Sequence, residues 1–424
     1  MSLKPAHFSL GNLIRPNILA LQPYRCARDD YQSGILLDAN ENAIGHSLPP
    51  GSFVPHDDQP ESSTSSLSGT PITGSGAKDP LQLHRYPDPA LYGIKERLVE
   101  LRKLDSASQV FLGVGSDEVL DLVQRICGAP GKDKVLICPP TYGMYSVCAA
   151  VNDLGVVKVP LKLEGGEFAV DTETVLERLR ADSSIKILFL CSPGNPTGTL
   201  LKLSEVRRFL DEPGWGGLVV VDEAYIDFAE EEKRVGSRYT DEEVSAVSLV
   251  KEYANVIVTQ TLSKAFGLAA IRLGIAYAHP ALIQIMNNTK APYNISVPTA
   301  YLGSRALTQQ GLDNMRTNVR TLIENRSWLI ENLQSKCSGV GKVLGGNDAN
   351  FVLIQVLQEG DSAERKPDSQ RAGWVYKKMA EEQGLVVRNR ASEMGCEGCL
   401  RITVGTKEEC ERCVELMCEL LGRK

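Results

Sequence analysis

Seven short apolar runs punctuate the chain between residues 109 and 278: QVFLG, KVLIC, VVKV, IKILFL, GLVVVD, NVIVTQ and LGIAYA. Several are apolar at almost every position, the pattern of strands covered on both faces. Between them, DEVLDLVQRIC, DTETVLERLR and LSEVRRFL place apolar residues three and four apart, as amphipathic helices do. The alternation predicts crossover units on a mainly parallel sheet, within one large α/β body over residues 85–297.

Beyond ISVPTA the rhythm changes. A long helical run from Leu312 to about Lys336 leads to ANFVLIQV, a helix around WVYKKMAEE, the strands LVVRN and CLRITVG, and a terminal helix. This predicts a smaller α+β unit over residues 298–424. Residues 1–45 form a short segment able to pack on either unit. Residues 46–84 include DDQPESSTSSLSGTPITGSGAK, a polar insertion with too little apolar area to order itself. There are no internal repeats.

Composition narrows the partners. The 424 residues are 42% hydrophobic and 23% charged, enough for two cores, and the formal charge of -7 gives no global basic field for nucleic acid or an anionic membrane. No apolar run reaches the roughly 18 residues of a spanning helix, and no secretory signal opens the chain, so a cytoplasmic location is expected. Residues 1–28 do carry Lys4, Arg15, Arg25 and Arg28 without an acid, a faint likeness to a transit peptide.

The eleven cysteines, odd in number and scattered, suit reduced thiols better than a disulfide framework. Cys396, Cys399, Cys410 and Cys413 have zinc-like spacing, C-x2-C-x10-C-x2-C. Yet Cys410, Cys413, Val414, Met417, Leu420 and Leu421 repeat at helical spacing, so these thiols are expected to face a core, with no metal.

Ligands of open parallel sheets sit beyond the carboxyl ends of the strands. There the chain offers VGSDE after QVFLG, PPTYGMY after KVLIC, CSPGNPTG after IKILFL, DEAY at the end of GLVVVD and TLSK after NVIVTQ. Each alone reads as a cap, a turn or a solvated charge. Together they collect a buried acid, a buried amine, an amide, two phenols, hydroxyls and an arginine, a set suited to an aromatic, phosphorylated ligand with a basic nitrogen.

SPGNPTG, VVVDEAY and TLSKAFGLAAIRLG resemble, in order and spacing, the fold-type-I aminotransferases that use pyridoxal 5'-phosphate, most closely the histidinol-phosphate aminotransferases. The likeness also takes in PYRCAR, LDANEN, RYPDP, GVGSDE, ANFVL and LRITVGT. It implies that Lys264 carries the cofactor as a Schiff base and shuttles the substrate proton. Asp222 would pair with the pyridine nitrogen, keeping the ring an electron sink. Tyr225 and Asn195 would hydrogen-bond the phenolic oxygen, and Tyr142 would stack on the ring. The phosphate would lie against the helix start at Ser116 and Asp117, with Thr261, Ser263 and Arg272 around it. Tyr86, from RYP, would reach the neighbour's cofactor across a homodimer.

The same resemblance implies that Arg388 and Arg401, thirteen residues apart, hold the phosphate of L-histidinol phosphate, with Tyr24 and Asn42 nearby. The reaction implied is ping-pong transamination to 2-oxoglutarate, giving imidazole-acetol phosphate and L-glutamate, a step of histidine biosynthesis. One departure is NENAIG, which lacks the proline common in bacterial relatives after the Asn-Glu pair. Other readings are a decarboxylase or aminotransferase for another phosphorylated or aromatic amino compound, and a non-catalytic sensor built on the same body. Sensors of that kind usually carry a basic DNA-binding module, and none is present in the sequence.

Overall fold

A computed structural model describes residues 4–20, 81–239, 243–360 and 364–423. Tyr24, Asn42 and residues 46–80 of the insertion lie outside the described residues.

All seven apolar runs are strands of one sheet: β1 Val110–Val114, β2 Lys134–Ile137, β3 Gly155–Lys158, β6 Ile185–Cys191, β7 Leu218–Asp222, β8 Val256–Thr261 and β9 Leu273–Ala278. A hairpin that the hydrophobic pattern missed, β4 Lys162–Glu164 with β5 Glu167–Ala169, forms its own small sheet. The large sheet runs β1-β9-β8-β7-β6-β2-β3. Its inner strands pair in parallel, whereas β9 is antiparallel to both neighbours.

Period-two alternation explains the continuous apolar runs. Val219 and Val221 face one core with Leu188, Leu190, Val256 and Val258, while Leu218 and Val220 face the other with Ile187, Phe189 and Ile257. The helix Gly115–Cys127 covers the second face through Val119, Val123 and Ile126. The helix Val297–Ala306 joins the first through Ala300.

The smaller antiparallel sheet is ordered β10-β11-β13-β12, from β10 Val340–Leu344, β11 Phe351–Val356, β12 Arg388–Asn389 and β13 Cys399–Thr403. Strand β10 was not anticipated. The helices Gln309–Lys336 and Lys407–Leu421 close its core, which Leu329, Leu333, Cys410, Cys413, Val414 and Met417 fill. Thr406 and Glu409 cap the terminal helix reciprocally: the hydroxyl accepts from Glu409 N–H and the carboxylate from Thr406 N–H.

The cysteines require one correction. Cys410 and Cys413 face the core as their spacing predicts, and Cys396 and Cys399 pack separately beside Phe168 and Leu344. Cys337 and Cys418, however, form a disulfide, so the expectation of thiols throughout fails at this pair. Packing of the two helices brings their Cα atoms to 4.6 Å across 81 residues, a proximity that sequence spacing hides. Among the described residues no group of three or more His, Cys, Asp or Glu could hold a metal ion.

Buried charge ties the two sheets together. Arg326 of the long helix donates to Glu232 at 2.7 Å and to the Ala349 carbonyl at 2.9 Å. Asp348, 1% exposed, accepts from Leu200 N–H at 2.9 Å and from Tyr239 Oη at 2.6 Å, and pairs with Arg238 at 2.8 Å. Removing Arg326 would leave the buried Glu232 carboxylate with only a longer contact, to Arg238 at 3.6 Å. Arg326→Ala is therefore expected to lower unfolding free energy by about 3–5 kcal/mol in urea titration, and Arg326→Met with Glu232→Leu to recover most of it. A single-variant loss below about 1 kcal/mol would show the pair to be solvent-screened instead.

Candidate active site

The carboxyl ends of β1, β6, β7 and β8 share one edge of the sheet with the start of the reversed β9. A cavity of about 330 Å3 opens there, lined by Ser116, Asp117, Tyr142, Asn195, Asp222, Tyr225, Thr261, Ser263, Lys264, Arg272, Arg388 and Arg401. The parallel strands deliver the residues that follow them, and β9 delivers Arg272 because it runs the other way. Thus every described candidate except Tyr86 lines one space. Tyr86 is 48% exposed and stacks on Tyr293, with ring centroids 4.6 Å apart.

Asp222 is the buried acid at the cavity's base, 3% exposed. Its Oδ2 accepts from Tyr145 Oη at 2.7 Å and its Oδ1 from Thr259 Oγ1 at 3.0 Å. Burial pushes its pKa up, and those two hydrogen bonds pull it back. Tyr145, itself stacked on Phe189, and Thr259 thus fix the carboxylate that a cationic ligand group would meet. Neither had been singled out. Tyr145 follows Tyr142 at helical spacing and Thr259 pairs with Asp222 across β7 and β8, so motif position and strand register held the signal.

Lys264 departs from the expectation of a buried amine, because its side chain stands exposed to the open cavity. Its pKa is nevertheless lowered, first by partial desolvation and then by Arg401 and Arg272. Its Nζ lies 5.6 Å from the centre of the Tyr225 ring. Tyr225 meets Phe351 edge-on at 5.2 Å, and the Arg401 guanidinium lies 5.1 Å from that Phe351 ring. Arg401 Nη1 also donates to Asn195 Oδ1.

Another part of the lining gathers groups able to donate to an anion. The Gly115–Cys127 helix starts here, and its first-turn amides lack acceptors within the helix. Gly115 has φ +73°, and a β-carbon there would come within 2.5 Å of Arg272 Nη2. One on Gly274 would lie 2.3 Å from Ser116 N, so the two glycines let β9 close against the helix start. Thr261 Oγ1 donates to Ser263 Oγ at 2.9 Å. Asp117 accepts from Tyr142 Oη at 3.0 Å and pairs with Arg272 at 3.3 Å, which leaves hydroxyls, amides and a guanidinium around the recess.

Across the cavity, Arg388 of β12 and Arg401 of β13 are direct register partners. Like charges opposed on neighbouring strands repel, so this placement is costly without an anion between them. Arg390 lines the same wall and was missed, although LVVRNR displays it two residues beyond Arg388.

The model of the family "Aminotransferase class I and II" matches residues 56–416. The chain is 44% identical over 409 residues to the histidinol-phosphate aminotransferase of Schizosaccharomyces pombe, covering 95% of each. It is 42% identical over 415 residues to that of Saccharomyces cerevisiae, again 95% of each. The solved histidinol-phosphate aminotransferase from Sinorhizobium meliloti, in complex with pyridoxal-5'-phosphate, matches with TM-score 0.66 at 20% identity, over 80% of this chain and 83% of that one. At that identity the likeness concerns the fold.

Glu223, behind Asp222, gives a test of the electrostatics. It is fully buried, accepts from Ser245, Ala246 N–H and Gln260, and burial raises its pKa from 4.5 to about 7. A raised carboxyl pKa stabilises the fold below the unfolded value, and that contribution is lost as pH rises through the folded value. Glu223→Gln cannot ionise. Its urea midpoint relative to wild type should therefore rise between about pH 5 and about pH 8, and a constant difference would contradict the burial effect.

Proposed function

The chain belongs to the class I and II aminotransferases, among the histidinol-phosphate aminotransferases, and from that premise we propose that it transfers the amino group of L-histidinol phosphate to 2-oxoglutarate. The products are imidazole-acetol phosphate and L-glutamate. The observation that carries this reading is that one cavity is lined by Ser116, Thr261, Ser263 and Arg272 and also by Arg388 and Arg401, two groups of donors that suit a cofactor phosphate and a phosphate on the amine.

The donor set fits the family's cofactor, pyridoxal 5'-phosphate. The recess between Gly115, Gly274 and Arg272 has no room for a β-carbon, yet it offers amides, hydroxyls and a guanidinium to a phosphate. Asp222 offers a carboxylate to a protonated ring nitrogen. When bound, the cofactor supplies an electron sink for the carbanion left when the substrate's amine-bearing carbon loses its proton.

In this reading the backbone N–H groups of Ser116 and Asp117 and the side chains of Thr261, Ser263 and Arg272 hold the cofactor phosphate. Tyr142 covers the ring face, and Asn195 and Tyr225 flank its oxygen. Lys264 Nζ, its pKa lowered, is more readily the neutral base that would take the proton from the substrate carbon and deliver it to the C4' carbon of the cofactor. Arg388 and Arg401 bind the amine's phosphate, and Arg401 accepts the acid of 2-oxoglutarate in the second half of the cycle. Tyr24 and Asn42 join the substrate side on the strength of the sequence likeness.

We further propose a homodimer in which Tyr86 reaches the cofactor phosphate of the second copy, a role its exposed position permits. No helix among the described residues is long and apolar enough to cross a membrane, and a cytoplasmic site of action suits small polar substrates.

Donor assays with 2-oxoglutarate test the reading. L-Histidinol phosphate should be the best amine, and Lys264→Ala should lose at least about 100-fold in turnover. A better donor of another kind, or carbon dioxide released from a phosphorylated amino acid, would replace this substrate assignment. Tyr86→Phe should weaken cofactor retention on dialysis, whereas unchanged retention by a monomer would remove the proposed dimer.

A further inference from the structure

The substrate-facing wall holds three guanidinium groups, not two. Arg390 lines the cavity with Arg388 and Arg401. Its backbone is tied to the same edge, since Arg390 N–H donates to the Cys399 carbonyl at 2.9 Å, two residues before Arg401. Its Nη1 donates to Glu393 Oε1 at 2.7 Å, across a turn that Glu393 N–H closes on the Arg390 carbonyl at 2.9 Å. One arm of the guanidinium is therefore occupied. Arg390 Nε, by contrast, is shut from solvent with no acceptor among the described residues, and so is Arg401 Nε.

A phosphate monoester presents three acceptor oxygens and, near neutral pH, a charge close to two. A carboxylate presents two oxygens and one charge. Arg388 and Arg401 can each engage a phosphate edge, but Arg401 already spends one arm on Asn195, and the three oxygens carry more lone pairs than those two residues fill, so acceptor sites stay open to a third guanidinium. We propose that Arg390 is a specificity-determining residue that supplies this third guanidinium to the phosphate of the amine donor, with Glu393 as its positioning partner. The proposal rests on the aminotransferase reading above and names a residue that distinguishes the phosphorylated donor from the dicarboxylate acceptor.

The test compares Arg390→Gln, Arg390→Lys and Glu393→Gln with wild type as cofactor-loaded enzymes, using L-histidinol phosphate and L-histidinol as donors. In Arg390→Gln the ratio of kcat/KM for the phosphorylated over the unphosphorylated amine should fall by about ten- to hundredfold, with KM for 2-oxoglutarate moving less than about threefold. Arg390→Lys should restore part of the ratio, because charge returns without the planar fork. Glu393→Gln should lower it by a smaller factor. Parallel losses on both amines, or an unchanged ratio, would overturn the proposal, since a merely structural residue would not separate them. If wild type does not turn over L-histidinol phosphate, the substrate reading fails, and titration of phenyl phosphate into the loaded enzyme decides the Arg390 proposal separately. About tenfold weaker binding in Arg390→Gln supports it, and equal binding refutes it.

Discussion

Five cations, Lys264, Arg272, Arg388, Arg390 and Arg401, line a single cavity whose acidic lining, among the described residues, is Asp117 and Asp222. Asp117 is already engaged with Arg272, and Asp222 lies buried beneath the site. Such an excess of positive charge in a partly desolvated space is unfavourable by itself and becomes favourable when anions enter. The two walls divide that excess. One set of donors sits where a helix begins, the other where two short antiparallel strands place arginines face to face. An amine carried between two phosphates is the ligand geometry this arrangement favours, and Lys264 stands between the walls.

Backbone packing keeps the walls in register. The loop bearing Asn195 is held by the loop leading to β11: Gly346 N–H donates to Thr199 Oγ1 at 3.0 Å, Asp348 N–H to the Gly198 carbonyl at 2.7 Å, and Asp348 Oδ2 accepts from Leu200 N–H. Three residues later Phe351 packs against Tyr225 and under Arg401. A shift at Asp348 would therefore move Asn195 and Arg401 relative to each other. Since productive contacts depend on fractions of an ångström, these buried polar groups bear on catalysis without touching a substrate.

Much of this was legible in the sequence. Strands apolar on both faces announce themselves, and the residues after them are the ones an open sheet exposes at its carboxyl edge. What stayed hidden depended on tertiary register. The hairpin over Lys162–Ala169 is charged and mostly exposed, and β10 places Lys342 in its middle, so neither shows a clear hydrophobic signature. The reversal of β9, the contact between Cys337 and Cys418, and the hydroxyls that Tyr145 and Thr259 turn onto Asp222 arise from packing between segments distant in sequence. The openness of Lys264 belongs to the same class. Sequence placed it among apolar neighbours, but the fold turns it into the cavity.

The claim that both phosphates and the reacting amine share this cavity is tested most directly by the absorption spectrum of the cofactor-loaded protein during titration with L-histidinol phosphate in the absence of acceptor. The account predicts that the yellow band of the enzyme is consumed stoichiometrically by this amine, with much weaker response to L-histidinol, and returns when 2-oxoglutarate is added. A spectrum indifferent to L-histidinol phosphate, or one that answers the unphosphorylated amine equally well, would contradict it.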